Sequence, residues 1–222
     1  MRRGLSASIA TNGTIEISGS FTLSNPGLYP IQGFKLTARI ANDVGVFLGQ
    51  LGVGPTAIAP SSTGTFPIAL YLPIATSGAV ASLLTEDQYL RVNAWGNATY
   101  AYLFPLSVAL SENRSWGAPF EALQASVGAP TGGGGSITVP VTVTFSNHAG
   151  FPDEGVLTYT IESSGGVDCG GGSFTIDVPP GALYDQTQDV SLNSGCSPAG
   201  GQLVSSYSTG GTPFPLPTEP IP

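Results

Sequence analysis

Apolar and polar residues alternate along most of this chain. The clearest runs span residues 14–23, 35–40, 136–145, 156–161 and 173–178. A period of two residues is typical of half-buried β-strands, and turn-forming residues such as those at 25–27 separate the runs. Residues 76–87 form the one stretch that favours a helix. Many short strands between turns predict an all-β sandwich fold.

The two halves of the chain repeat this pattern in the same order. A shared order at a nearly constant offset indicates two related β-sandwich domains in tandem. The matched segments lie 122, 121 and 119 residues apart: Phe21–Asn25 with Val143–Asn147, Lys35–Ile40 with Val156–Ile161, and Thr56–Pro60 with Thr175–Pro179.

Glycine and proline mark the domain limits. We expect Trp116, Pro119 and Phe120 to fix the junction between the domains. The pattern predicts four segments: a first sandwich at 1–118, a glycine-rich hinge at 119–135, a second sandwich at 136–209 and a proline-rich extended tail at 210–222.

The prolines also bear on how the strands are joined. Pro140 interrupts the run 136–145, and a proline cannot donate a ladder hydrogen bond, so we expect this strand at a sheet edge or a bulge. An unanchored tail at 210–222 would be disordered. A neighbouring copy could hold it through main-chain pairing at an open edge, with 14–23 and 136–145 as the candidate strands.

One group of residues resembles a known family. The sequences Ser24-Asn25-Pro26, Ile58–Thr63 and Phe66–Leu70 follow one another as they do in the LEA14-like, or WHy (water stress and hypersensitive response), domain. The resemblance covers residues 5–115, and a weaker version covers the second half, where His148 replaces the proline. It implies small fibronectin-III-like β-sandwiches that act as binding or structural modules and have no catalytic residues.

Composition restricts the function further. Only 9% of the 222 residues are charged, whereas 41% are hydrophobic. All six Lys and Arg residues lie at or before Arg114; the five acids of that part give 6 − 5 = +1, and the nine acids after it give −9. The acidic excess argues against a nucleic-acid partner, and no apolar run is long enough to span a membrane.

The sequence offers little catalytic chemistry. His148 is the only histidine, and neither a nucleophile elbow nor a phosphate-binding loop is present, so we expect no enzymatic activity. Asp153 and Glu154 are candidate ligands for Ca²⁺, since hard carboxylate oxygens suit that ion. We expect no other cofactor.

Cysteine and asparagine motifs point to the exterior of a cell. We expect Cys169 and Cys196 to form a structural disulfide, which is typical of an oxidising compartment or of a hyperthermophile; free buried thiols are the alternative. Three Asn-X-Ser/Thr motifs are candidate glycosylation sites: Asn12, Asn97 and Asn113.

These observations favour a non-enzymatic structural subunit of an extracellular filament or cell-surface assembly. Its copies would join head to tail by β-strand addition, and the basic residues Lys35 and Arg39 of one copy would face the acidic half of the next. One alternative is a monomeric adhesin or carbohydrate-binding module that uses Trp95 or Trp116. Another is an intracellular LEA14-like stress-protective protein.

Overall fold

The computed structural model describes residues 6–74, 77–131, 137–209, 211, 213–216 and 218–221. These residues form two compact units. The first unit contains Ile15–Leu72, Gln88–Trp116 and the described residues up to Ser8; the second contains Ile9–Thr14, Pro73–Asp87 and the described residues from Gly117 onward.

Two antiparallel sheets make up the first unit. One sheet has the strand order β1-β2-β5 and the other has the order β4-β3-β6-β7. The strands are β1 (Ser6–Ala10), β2 (Thr14–Asn25), β3 (Ile31–Ala41), β4 (Phe47–Ile58), β5 (Ser62–Pro73), β6 (Gln88–Tyr100) and β7 (Phe104–Trp116).

The core of the first unit is aromatic and aliphatic and draws on both sheets. Phe66 of β5 lies 5.4 Å from Phe34 of β3 and 5.1 Å from Phe21 of β2, measured between ring centroids. Ile31 and Ile58 complete the buried cluster. Side chains of alternating positions thus meet between the sheets, as the period of two residues requires.

The second unit is also built from two sheets, with one helix. The sheets have the strand orders β12-β9-β8 and β11-β10-β13-β14, and β15 also pairs with β13. The elements are α1 (Gly78–Thr85), β8 (Glu121–Val127), β9 (Thr138–Ser146), β10 (Asp153–Glu162), β11 (Asp168–Val178), β12 (Leu183–Ser191), β13 (Gln202–Ser208), β14 (Phe214–Pro215) and β15 (Glu219–Pro220).

Strand β9 shows how the sequence pattern produces this second core. Every second residue from Val139 to Phe145 is buried, while the intervening residues are partly exposed. The Phe120 ring is fully buried and lies 5.0 Å from Phe145 and 4.8 Å from Tyr207. The Phe120 N–H also donates to the Leu84 carbonyl at 2.8 Å, which attaches α1 to this core.

Both units have the same topology. In each unit the first, second and fifth strands form one sheet, and the fourth, third, sixth and seventh strands form the other. This order is that of a fibronectin-III-type sandwich. The predicted all-β fold with two tandem sandwiches is therefore confirmed.

A buried asparagine occupies the same place in both units. Asn25 donates to the carbonyls of Tyr29 and Ile58 at 2.9 and 3.2 Å. Asn147 donates to the carbonyls of Phe151 and Val178 at 3.1 and 2.8 Å. Each amide thus connects the turn after the second strand to the end of the fourth strand, and the repeat seen in the sequence has a structural counterpart.

The structure differs from the expected hinge at 119–135. Residues Glu121–Val127 form strand β8, which pairs with β9, so this part of the segment belongs to a sheet and not to a linker. The glycine run at 132–135 lies outside the described residues. Residues Pro73–Asp87, which we expected in the first sandwich, belong to the second unit.

Neither strand expected at an open edge is an edge strand. Strand β2 lies between β1 and β5, and β9 lies between β8 and β12. Pro140 is tolerated in the centre of its sheet because its carbonyl accepts from Gly128 N–H, beyond the last β8–β9 pair. The N–H and C=O of one residue in an antiparallel strand face the same neighbour, so the missing donor faces Gly128, which lies just past the end of β8.

The proline-rich tail pairs within its own chain. Phe214 lies opposite Tyr207, and Glu219 lies opposite Leu203, so β14 and β15 both extend the sheet along β13. The side chains of Phe214, Leu216 and Ile221 are buried. The described part of the tail is therefore anchored by its own unit and needs no neighbouring copy.

Candidate functional site

The edge strand β7 exposes an unusual row of apolar side chains. It spans 13 residues and pairs along its whole length with β6, but no strand of the described part of the chain pairs with its other side. We call the side chains of Phe104, Leu106, Val108 and Leu110 the apolar row. They are 61%, 44%, 54% and 52% exposed.

The register explains why the apolar row exists. Leu110 lies opposite Ala94, and Ala94 in turn lies opposite the buried Ala38 of β3. Residues opposite one another share a face of the sheet, so the apolar row lies on the face that carries the core. The facing sheet has three strands, whereas the sheet that contains β7 has four. The facing sheet therefore leaves β7, the outermost strand, uncovered.

The hairpin that leads into β7 continues this apolar surface. Tyr102 and Leu103 are exposed at its tip, and Leu28 and Tyr29 of the β2–β3 turn are exposed as well. The Tyr29 and Tyr100 rings meet edge to face at 6.2 Å. Ala101 and Tyr102 have φ values of 53° and 64°, and Leu103 N–H donates to the Tyr100 carbonyl at 3.2 Å, so they form a left-handed hairpin turn.

The opposite face of the same sheet is cationic. We call it the basic face, and it carries Lys35, Arg39 and Arg91, all exposed, with Trp95 between them. The β3–β6 register places Lys35 opposite Asn97, Thr37 opposite Trp95, Arg39 opposite Asn93 and Ala41 opposite Arg91. Among the described residues, none of these three cations has a carboxylate within salt-bridge distance.

A groove of about 400 Å³ lies on the basic face. Trp95, Phe47, Arg39 and Asn93 contribute to its lining. The Arg39 guanidinium lies 5.0 Å from the centre of the Phe47 ring, and Ser111 Oγ donates to Asn93 Oδ1 at 2.8 Å. That hydrogen bond orients the Asn93 amide and leaves its NH₂ group available as a donor.

In the second unit, His148 lies in a polar cluster that the sequence did not reveal. Its Nδ1 is 2.7 Å from Asp87 Oδ2. Asp87 Oδ1 accepts from Ala118 N–H, and Glu121 Oε2 accepts from Asp87 N–H, both at 2.8 Å. Asp87 and Glu121 precede His148 by 61 and 27 residues in the chain, so no local motif could have indicated this cluster.

This cluster contains three residue types that bind metal ions, with ligand atoms within 4.8 Å of one another. Partial burial raises the pKa of Asp87, but the hydrogen bonds from Ala118 and His148 more than offset it, so that the pKa lies below its ordinary value. Asp87 is thereby kept ionised as an acceptor for His148. The observed contacts connect the segment between α1 and β6 to the start of β8 and to the turn after β9, which is a structural role.

The expected Ca²⁺ ligands Asp153 and Glu154 are not brought together. They are neighbours on β10, where successive side chains point to opposite faces, and Asp153 is 1% exposed while Glu154 is exposed. The Asp153 carboxylate accepts a short hydrogen bond from Tyr207 Oη. Its second oxygen has no partner among the described residues.

Burial dominates the electrostatics of this pair. It raises the pKa of Asp153 to about 7, although the hydrogen bond from Tyr207 acts in the opposite direction. Burial, together with the charge of Asp153, also raises the pKa of the Tyr207 hydroxyl. Because Asp153 lies among core side chains, we assign it no ligand.

The remaining residues singled out in the sequence lie in separate places. Cys169 and Cys196 form a disulfide with a Cα–Cα distance of 5.3 Å, which is compatible with a secreted or extracellular protein. Trp116 ends β7 in the first unit, whereas Pro119 and Phe120 are buried in the second. All three candidate glycosylation sites are exposed: Asn12 in the turn after β1, Asn97 in β6 and Asn113 in β7.

Among the described residues, no helix has the length and hydropathy needed to traverse a bilayer.

Comparison with known proteins gives structural neighbours only. No family model and no curated protein matches the chain. A beta-glucuronidase from glycoside hydrolase family 2 has a TM-score of 0.39 at 12% identity, covering 94% of this chain and 24% of that one. A family 2 member from Bacteroides cellulosilyticus DSM 14838 gives 0.38 at 10% identity, with coverages of 94% and 28%.

A red sea bream transglutaminase gives a TM-score of 0.32 at 14% identity, covering 100% of this chain and 31% of the other. The chain therefore spans about a quarter to a third of the length of these solved structures.

Proposed function

We propose that this protein is a non-enzymatic structural subunit of a cell-surface assembly or filament. Copies join when the open edge of β7 accepts a β-strand from another copy. The observation that carries this proposal is the apolar row, which lies on the core face of its sheet and yet remains uncovered.

Two properties of β7 support strand addition. Among the described residues no strand pairs with its outer side, and an open strand edge of this kind is a template for another strand. The apolar row lies along the same edge, and covering the exposed parts of its four side chains would stabilise the contact by roughly 1 kcal/mol each. Natural proteins usually protect such an edge with charges or with a short strand, and Glu112 and Arg114 occur only toward the far end of β7.

A second copy is the occupant that the charge distribution favours. The part of the chain up to Arg114 has a net charge of +1, and the part after it has a net charge of −9. Unlike ends attract when copies meet head to tail, and such heterologous contacts produce open fibres. The two cysteines and the scarcity of Lys and Arg suit an extracellular fibre exposed to proteases.

Size-exclusion chromatography with light scattering and electron microscopy test this proposal. We expect the protein to associate as its concentration rises and to form fibres. Val108→Lys places a charge in the middle of the apolar row and should abolish association. The matched control is Leu183→Lys, because Leu183 is equally apolar and is 69% exposed in the other unit.

Two results would contradict the proposal. A protein that stays monomeric at high concentration is not an assembling subunit. If Leu183→Lys impairs association as much as Val108→Lys does, then β7 is not the acceptor. Circular dichroism checks that both variants are folded.

A further inference from the structure

We infer that the groove on the basic face binds a carboxylated saccharide, such as an oligouronate. This role is separate from strand addition at β7, because the groove lies on the opposite face of the sheet from the apolar row.

The groove offers a ring-sized apolar surface. Trp95 is 44% exposed and Phe47 is 51% exposed, and both contribute to its lining. Both rings line the same groove as the Arg39 guanidinium, and an exposed apolar surface with a polar rim is typical of a ligand-binding groove. The C–H face of a pyranose is flat and apolar, and it packs on an aromatic ring while its hydroxyls remain in water.

The charges specify an anionic sugar. Arg39 lies beside Phe47 and has no carboxylate partner among the described residues. A guanidinium binds a planar carboxylate through two parallel hydrogen bonds. Arg91 lies opposite Ala41 on one side of Arg39, and Lys35 lies four residues before Arg39 on the other, so the positive charge extends along the face on both sides of the groove.

Asn93 and Ser111 supply the polar groups that can form hydrogen bonds with the hydroxyls of a sugar. The Asn93 amide is held by Ser111, so its NH₂ group is presented to a ligand with little loss of conformational entropy. Ser111 lies opposite Asn93 on the exposed edge strand and faces the same side. Neutral polar groups at the rim of an aromatic platform distinguish a saccharide from a simple anion.

The acidic part of a second copy is the competing occupant of the basic face. Trp95 and Phe47 give the groove of about 400 Å³ an apolar lining, which suits the C–H face of a pyranose better than the carboxylates of a second copy. We therefore assign the groove to a saccharide and make self-association an outcome of the test.

Isothermal titration calorimetry with an oligogalacturonate tests the inference. The protein is produced without glycosylation, because Asn97 and Asn113 lie on the same face and an attached glycan would compete. We expect saturable binding that weakens at high salt. The methyl-esterified oligosaccharide, which keeps the rings but lacks the charge, should bind at least about tenfold more weakly.

Four variants separate the contributions of the charge and of the aromatic ring to the affinity. Arg39→Gln and Trp95→Ala should each weaken binding by about tenfold or more, and Trp95→Phe should restore part of the affinity. Arg114→Gln removes the same formal charge from an arginine that is paired with Glu112 at 2.8 Å, and it should leave affinity unchanged. Thermal unfolding verifies that each variant is folded.

Four outcomes would overturn the inference. The first is an absence of binding at millimolar ligand, and the second is an equal loss of affinity in Arg39→Gln and Arg114→Gln. The third is full affinity in Trp95→Ala. The fourth is a loss of self-association in Arg39→Gln while saccharide binding stays intact. The last outcome assigns the basic face to a second copy. Assembly through β7 is measured independently with Val108→Lys, so the two proposals fail separately.

Discussion

The side-chain NH₂ of Asn147 donates to the carbonyl oxygen of Val178 at 2.8 Å and so connects the turn after β9 to the end of β11. The same side chain donates to Phe151 and accepts from Ala149 N–H at 2.9 Å. Asn147 is completely buried. One amide group therefore satisfies three main-chain groups in the interior of the second sandwich.

We expect Asn147→Ala to destabilise the second unit by about 3 kcal/mol or more, because buried main-chain groups left unpaired cost about 1–3 kcal/mol each. Denaturant unfolding monitored by hydrogen exchange measures this. Asn193→Ala removes an exposed amide that also donates to a carbonyl, and we expect it to cost less than about 1 kcal/mol. Equal effects of the two substitutions would contradict the role of Asn147.

The buried carboxyl of Asp153 should make stability depend on pH. Its pKa is raised from 3.8 to about 7 by burial, so the folded state binds the proton more tightly than the unfolded state. The corresponding stabilisation is present below about pH 4 and is lost as the pH rises to about 7, by about 4 kcal/mol in total at 1.4 kcal/mol per unit.

Asp153→Asn has no such titration, and it keeps an acceptor for the Tyr207 hydroxyl. We expect it to be more stable than the natural protein at pH 8 and to lose that advantage at pH 4. Thermal melts across this range are the measurement, with Glu154→Gln as the control, because Glu154 is the exposed neighbour. Parallel pH profiles for Asp153→Asn and the natural protein would show that Asp153 does not titrate as described.

The disulfide between Cys169 and Cys196 closes a loop over a separation of 27 residues. In the chain-entropy model a loop of this length stabilises the folded state by about 3.5 kcal/mol. We expect the double substitution Cys169→Ala, Cys196→Ala to lower the free energy of unfolding by about this amount. The natural protein treated with a reductant provides a second sample without the disulfide. If neither this sample nor the double variant has a lower unfolding midpoint than the untreated natural protein, the prediction is wrong.

Phe214 packs its ring 5.5 Å from Tyr207 and is 3% exposed. We expect Phe214→Ala to cost about 3 kcal/mol through lost burial and the cavity that remains. Pro215→Ala, on the exposed side of the same strand, should change little. Measurement at a concentration where the protein is monomeric is decisive, since a tail held by a neighbouring copy would show no effect under those conditions.

Much of the fold follows from patterns within short segments. Alternation identified the strands of both sandwiches, and three matched segments at a nearly constant offset identified the repeat. These features depend on residues that are neighbours in the chain. The amino-acid sequence is therefore sufficient to predict them.

Strand order and edge position were not predictable in the same way. A period of two residues reports which face of a strand is buried, but it does not report which strands lie beside it. For this reason the strand with Pro140, which we expected at an edge or a bulge, lies in the centre of its sheet, and the pattern did not indicate that β7 is an edge strand. The groove beside Trp95 and the contact of His148 with Asp87 depend on register between distant segments, so they required the structure.

The tail that forms β14 and β15 has a consequence for biosynthesis. Strand β13 acquires one neighbour from β10, which the ribosome has already synthesised, and the other only from residues 214–221. Until β14 and β15 have followed β13 out of the exit tunnel, the sheet stays open beside Tyr207 and Leu203. We therefore expect the second sandwich to complete its fold only after β14 and β15 have left the ribosome.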